Sequence, residues 1–184
     1  MTKARTTRPN CVLLDADIII VAHELGIWRW LVHSYRILVP SVVLRTEALF
    51  FRTKTGAKAN IDLQALVLEG DIEELEATLE ELALVSGHFD DAFLDTIHAG
   101  ETEAIALVLC GRVRDGKVCS GDAHAIQALA MIGCGDCCVS LETLIGKKKT
   151  ARPLDRHFTE SALRSNLTQG SFNRISHTGL SAGS

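Results

Sequence analysis

CVLLDADIII, residues 11–20, is the stretch that decides the fold. An apolar run of this kind suits a strand buried on both faces, and such strands belong to parallel sheets covered by helices. Two carboxylates, Asp15 and Asp17, interrupt the run. A buried charge is costly unless it is paired or bound to a metal, so both acids call for a physical reason at the end of a strand.

Outward from this stretch the pattern alternates. Residues 22–34, AHELGIWRWLVHS, read as a helix with Trp28, Leu31 and Val32 on its apolar side. RILVP is a second strand ended by Pro40, and Ser41 is an N-cap for a helix over SVVLRTEALFF. Residues 61–84 read as helical, and DIEELEATLEELAL within them sets its acids opposite Ile72, Leu75, Leu79 and Leu82, the pattern of a solvated face. LALVSG reads as a strand, and FDDAFLDTIHAGETEAIALVLCG as one or two helices broken near Gly100. KVCSG is a short strand, DAHAIQALAMIG a helix closed by Gly133, and CCVS a last strand leading into LETLIG. Strands and helices alternating at this spacing predict an α/β fold, three layers α/β/α around a central, mostly parallel sheet. One domain is expected over residues 1–147, followed by a basic, polar C-terminal extension, 148–184, that reads as poorly ordered or peripheral.

Composition narrows the function classes. The chain of 184 residues is 47% apolar, enough for a real core. No apolar run approaches the roughly 18 residues of a membrane span. The first residues, MTKARTTRPN, are basic, but Asp15 and Asp17 break the apolar run after them, so no signal-peptide core is expected and the reading is cytoplasmic, with no membrane partner. Cys134-Gly-Asp-Cys137 is a CxxC without a second ligand pair, so it reads as reduced core thiols before metal or redox chemistry. Glycine-rich phosphate loops, the GxSxG elbow and HExxH are all absent. The net charge is −4, yet residues 147–184 set seven Lys and Arg against Asp155 and Glu160. A basic tail after an acidic body fits carboxylates gathered for metal and cations offered to phosphate; it fits a solvated helix and a solubilising tail equally well.

The acids themselves carry more. In an open parallel sheet, ligands gather beyond the carboxyl ends of the strands. Asp15 and Asp17 end the first strand, Glu47 lies in the helix after the second, Glu101 opens the helix after Gly100, and Asp122 follows KVCSG. Taken singly, Asp122 reads as an N-cap, Glu101 as a first-turn acid facing the helix dipole, and Glu47 as a solvent-facing residue. Together they bring carboxylates to one edge, where they repel unless a cation lies between them, and Mg²⁺ or Mn²⁺ prefers such oxygen ligands. Glu103 is set some 200° round the helix from Glu101 and is a poorer candidate. His124 beside Asp122 reads as a helix-surface residue, and Trp28 and Trp30 as base-stacking or core residues. Arg45 and Lys147–Lys149 are candidate phosphate contacts, or solvated surface charges.

These residues resemble a family. LLDAD, Glu47 in VPSVVLRTEAL, Glu101 in AGETEAIALVL and Asp122 in VCSGDAHAIQALAMIG are similar in order and spacing to the acidic signature of PIN domains, over residues 10–146. The resemblance implies a PIN-like fold and a metal-dependent nuclease, most often a ribonuclease. It makes Asp15, Glu47, Glu101 and Asp122 both the catalytic and the metal-binding set, holding Mg²⁺ or Mn²⁺. Asp17, where the family often has Asn, would be auxiliary. RNA would be the substrate, with single-stranded DNA as an alternative. The chain would be the toxin of a toxin–antitoxin pair with an antitoxin partner, and a homodimer through the Trp28–Trp30 helix. Gly121 follows Ser120 where many members have Thr or Asn nearby, and the basic tail matches no family pattern. Two rival readings exist. LLDADI also resembles the opening of haloacid-dehalogenase-like phosphatases, although Ile19 stands where Thr or Val is expected and GDAHAI lacks a second acid. The other is a catalytically inactive PIN-like module that binds RNA or a partner without Mg²⁺.

Overall fold

The apolar run of residues 11–20 divides at Asp15. In the computed structural model, which describes residues 10–148 and 150–182, only Cys11–Leu14 form strand β1. Asp15 takes extended dihedrals and accepts a hydrogen bond from Ala16 N (2.7 Å), capping helix α1, Ala16–Glu24. Ile18 and Ile19 are therefore buried from a helix rather than from the strand expected over 11–20. A short apolar run suits either element. Gly26, at φ 70°, ends α1 and lets α2, Trp28–Ser34, start at an angle, so the helix expected over 22–34 is two pieces. The basic residues 1–9 and Lys149 lie outside the described residues.

Strand β2 is Arg36–Pro40. The helix expected after Ser41 is a single wide turn, Val43–Glu47, followed by a hairpin of β3, Phe50–Arg52, and β4, Lys58–Asn60. The segment 61–84 is corrected most: it forms α3 (Leu63–Leu68), strand β5 (Ile72–Leu75) and the start of α4 (Leu79–His88). LALVSG lies inside α4, so the third strand is IEEL instead. Its acids are tied to cations on neighbouring elements, Glu73 to Arg36 (2.6 Å) and Glu74 to Arg45 (2.6 Å), which lets a glutamate-rich segment serve as an edge strand. Then come α5 (Asp91–Leu94), α6 (Ala99–Leu109), β6 (Lys117–Cys119) and α7 (Ala123–Met131). The strand expected at CCVS is reduced to one parallel bridge, Val118 to Cys138, before α8, Leu141–Ile145.

All four strands of the main sheet are parallel, in the order β5-β2-β1-β6. The pleat sends Val12, Leu14, Ile37, Val39 and Cys119 into a core shared with α1, α2 and α8. Leu13, Leu38 and Val118 enter a second core with α4, α6 and α7. This is a three-layer α/β/α fold, and burial on both faces is why β1 reads as continuous apolar sequence. The chain steps outward from β1 to β2 to β5, then returns to the other flank of β1 as β6. A crevice is expected where the direction of winding reverses, between the carboxyl ends of β1 and β6.

The extension is not a poorly ordered tail over its described part. After a turn at Arg156–Phe158 it forms α9, Glu160–Ser176, which packs on α7 and buries Phe158 and Leu163. Gly170 permits this approach, since a Cβ there would lie 2.5 Å from Gln127 O.

Glu103 is a structural fastening. Its buried carboxylate accepts from Ser41 Oγ (2.7 Å), Val42 N (2.7 Å) and Ala77 N (3.0 Å), joining the ends of β2 and β5 to α6. Glu103→Ala leaves these donors unpaired and is expected to cost about 3 kcal/mol or more. A lower urea midpoint at unchanged m-value would register that loss; an unchanged midpoint would contradict it.

Candidate active site

Five acids lie around the carboxyl ends of β1 and β6, each accepting hydrogen bonds from nearby groups. Asp15, buried at the end of β1, accepts from Ala16 N through Oδ1 and from Ser120 Oγ (2.7 Å) through Oδ2. Ser120 follows β6, and its Oγ in turn accepts from Asp122 N (3.0 Å), so one hydroxyl ties the ends of β1 and β6 to the start of α7. Asp122 caps α7 through Oδ1, which accepts from His124 N (2.7 Å) and Ala125 N (3.0 Å). Glu101 Oε2 accepts from His98 N (2.8 Å) at the start of α6. Glu47, from the turn after β2, reaches the same helix end, its Oε1 accepting from Gly100 N (3.1 Å). Only glycine fits there, because a Cβ on residue 100 would collide with Glu47 Oε2 and lie 2.8 Å from Val43 Cγ2.

Asp17 differs from the others. Its Oδ2 accepts from Gly121 N (3.0 Å), while Oδ1 is buried and has no hydrogen-bond partner among the described residues. Gly121 too is required to be small: a Cβ there would clash with Asp17 Oδ2 and lie 2.8 Å from His157 Cδ2.

Electrostatics bind the acids into one group. Burial pushes the Asp15 carboxyl above its ordinary value; the bonds from Ser120 and Ala16 oppose this, and the charges of Glu47 and Asp122 push it further up. Asp17 is raised well above the usual carboxylate range, first by burial and then by Asp15. Glu101 is raised by burial, against the His98 N–H, and further by Asp122 and Asp15. Beneath them Cys119 is fully buried, its thiol held protonated by burial and by the charges of Asp17 and Asp15.

The sequence-expected set of Asp15, Glu47, Glu101 and Asp122 is thus brought to one edge within mutual electrostatic reach. It does not close on one point: among the described residues no three His, Cys, Asp or Glu side chains are placed to hold a metal ion. Each acid is turned toward its local donor instead. Glu103 points away, as its helical offset requires. Arg45 is not a free phosphate contact, being paired with Glu74 (2.6 Å) and Glu76 (3.2 Å). Trp28 is buried and stacks on His23, whose imidazole is pushed down to about 4 by burial; Trp30 packs edge-on to Tyr35. His124 is exposed. The sequence marks Gly100, Ser120 and Gly121 beside the acids, but neither the Ser120 bond to Asp15 nor the close approaches at the two glycines could be read from it.

Comparison of the chain with protein-family models, with curated proteins and with solved structures gives no match. Among the described residues no helix is long and apolar enough to cross a membrane.

Because the Asp17 carboxyl is raised in the fold, the folded state binds more protons than the unfolded chain between the two pKa values, and stability falls as pH rises through that window. Asp17→Asn is therefore expected to be more stable than wild type at pH 7 in EDTA, with the advantage shrinking toward about pH 4, the unfolded carboxyl value. Urea unfolding over a pH series reads this; an advantage that stays constant with pH would contradict it.

Proposed function

We propose that the protein is a metal-dependent nuclease, acting on RNA, with its site at the carboxyl edge of β1 and β6. The observation that carries the reading is the convergence of Asp15, Glu47, Glu101 and Asp122 from four separate elements, where burial and the neighbouring acids raise the carboxyls of Asp15 and Glu101. The donor set suits a hard divalent ion: it offers carboxylate oxygens only, and one of them, Asp17 Oδ1, is already buried without a partner. Asp15, Glu47, Glu101 and Asp122 would hold Mg²⁺ or Mn²⁺, which when bound would supply an acidified water and charge stabilisation at the leaving oxygen of a phosphodiester.

The chain's own part is positioning. Ser120 orients Asp15 from the outer layer of the site, the role that second-shell hydrogen bonds play around bound metals. Gly121 N does the same for Asp17, and the start of α6 for Glu47. The N-termini of α1, α6 and α7 all face this edge and favour its negative charges. Cys119, fully buried with its thiol pushed up by burial, is not placed to act as a nucleophile. The resemblance to PIN domains supports the same reading, and with it a cytoplasmic toxin paired with an antitoxin.

Purified protein is expected to cleave a mixed RNA pool with Mg²⁺ or Mn²⁺. EDTA should abolish cleavage, and Asp15→Asn should lower it at least about 100-fold, the upper end of what loss of an outer-layer partner costs. Cleavage that survives EDTA, or an Asp15→Asn variant as active as wild type, would sink the proposal.

A further inference from the structure

An edge built from five carboxylates repels the phosphates of its own substrate. A site of this kind therefore needs cations beside the acids, placed where the nucleic-acid backbone passes. Five of the ten described arginines are engaged by carboxylates: Arg36 by Glu73, Arg45 by Glu74 and Glu76, Arg112 by Glu81, Arg152 by Glu24 and Asp155, Arg164 by Glu160. Arg29, Arg52, Arg114, Arg156 and Arg174 are exposed and outside these ion pairs, and of these Arg156 is the one that adjoins His157, whose ring lies against Gly121 at the acidic edge.

Their position is fixed by the segment 151–160, which is anchored at both ends. At one end Ala151 N donates to Leu25 O (3.3 Å) and Arg152 Nη2 to Glu24 Oε2 (3.1 Å), at the far end of α1. At the other, Ser140 Oγ and Thr143 Oγ1 donate to Glu160 Oε2 (2.8 and 3.0 Å), and Glu160 N donates to Glu142 Oε2 (2.7 Å). The segment thus runs along α1 back to the carboxyl edge. There Phe158 is wedged into the core that holds Leu14 and Ile18, its ring 3.9 Å from that of His157. A Cβ on Gly121 would lie 2.6 Å from Phe158 Cε1 and 2.8 Å from His157 Cδ2 while striking Asp17 Oδ2. His157 and Asp17 therefore flank the same glycine at the end of β6.

We infer that Arg156 and His157, presented by this strap, bind the phosphodiester backbone of the single-stranded RNA next to the scissile phosphate, Arg156 as a cation and His157 as a hydrogen-bond donor, making the C-terminal segment the phosphate-binding wall of the acidic site. The inference rests on the nuclease reading and extends it to substrate recognition. Buried Phe158 holds the wall in register, and the exposed pair makes the contact.

The test uses the full-length protein with Arg156→Ala, His157→Ala and the double variant, and Lys54→Ala in the β3–β4 hairpin as a distant control. Both strap side chains are exposed, so the urea midpoints should match wild type. A fluorescein-labelled 12-nucleotide RNA, titrated in EDTA at several salt concentrations, reads binding by anisotropy. KM and kcat are measured in Mg²⁺ on the same RNA. The double variant is expected to bind about tenfold more weakly, with a salt slope shallower by about 0.7 for each phosphate that the strap no longer neutralises. KM should rise similarly while kcat stays within about twofold; Lys54→Ala should match wild type. Wild-type cleavage together with unchanged KM, affinity and salt slope in the double variant would overturn the strap and leave the nuclease standing. A wild type that neither binds nor cleaves the RNA would overturn both.

Discussion

The hydrogen bond from Ser120 Oγ to Asp15 Oδ2 spans the seam on which the candidate site depends. A carboxylate can be buried at the end of a parallel strand only if donors receive it, and here the donor comes from the neighbouring strand end. The same hydroxyl accepts from Asp122 N, so one serine sets the distance between β1, β6 and the start of α7. The parallel pairing of β1 with β6 makes the arrangement available, by bringing Leu14 opposite Cys119 and hence Asp15 beside Ser120.

From that seam the rest of the edge is built by local capping. Asp15, Glu101 and Asp122 each sit at a helix N-terminus, where unpaired N–H groups and the helix dipole favour an acid. Capping satisfies each acid singly, yet burial first, and the neighbouring charges after it, make Asp15, Asp17 and Glu101 hold protons more tightly than isolated carboxyls. Such a set lowers the stability of the fold at neutral pH, and stability given up at a cluster of this kind is a common mark of function. Two glycines make the crowding feasible. Gly100 admits Glu47 to the end of α6, and Gly121 admits Asp17 and His157 to the end of β6.

The architecture was legible where the pattern is global. The apolar runs of β1 and β2, the Gly133 boundary and the alternation of elements suffice for a parallel three-layer fold, whereas Ser41, expected as an N-cap, donates its hydroxyl to Glu103 instead. Local assignments failed where two elements share one pattern. Ile18 and Ile19 suit a buried helix as well as a strand, and IEEL reads as helical because its glutamates resemble a solvated face, whereas they pair with Arg36 and Arg45 across an edge. Of the site, the acids and their shared edge were readable, because strand ends and helix starts locate them. Ser120, Gly100, Gly121 and the return of His157 were not, since each depends on contacts between segments distant in the chain. The basic tail looked featureless because α9 carries few apolar residues, and its packing on α7 turns on Gly170, whose missing side chain leaves no trace in a hydropathy pattern.

On the proposed reading, the acids at the carboxyl ends of β1 and β6 hold a divalent ion. The most direct measurement is Mn²⁺ binding to the purified protein, followed by electron paramagnetic resonance of the free ion, for wild type and for Asp15→Asn. Wild type is expected to bind about one or two ions per chain, and the substitution to weaken binding at least about tenfold. Wild-type protein that leaves the Mn²⁺ signal unchanged, or a variant that binds it equally well, would contradict it.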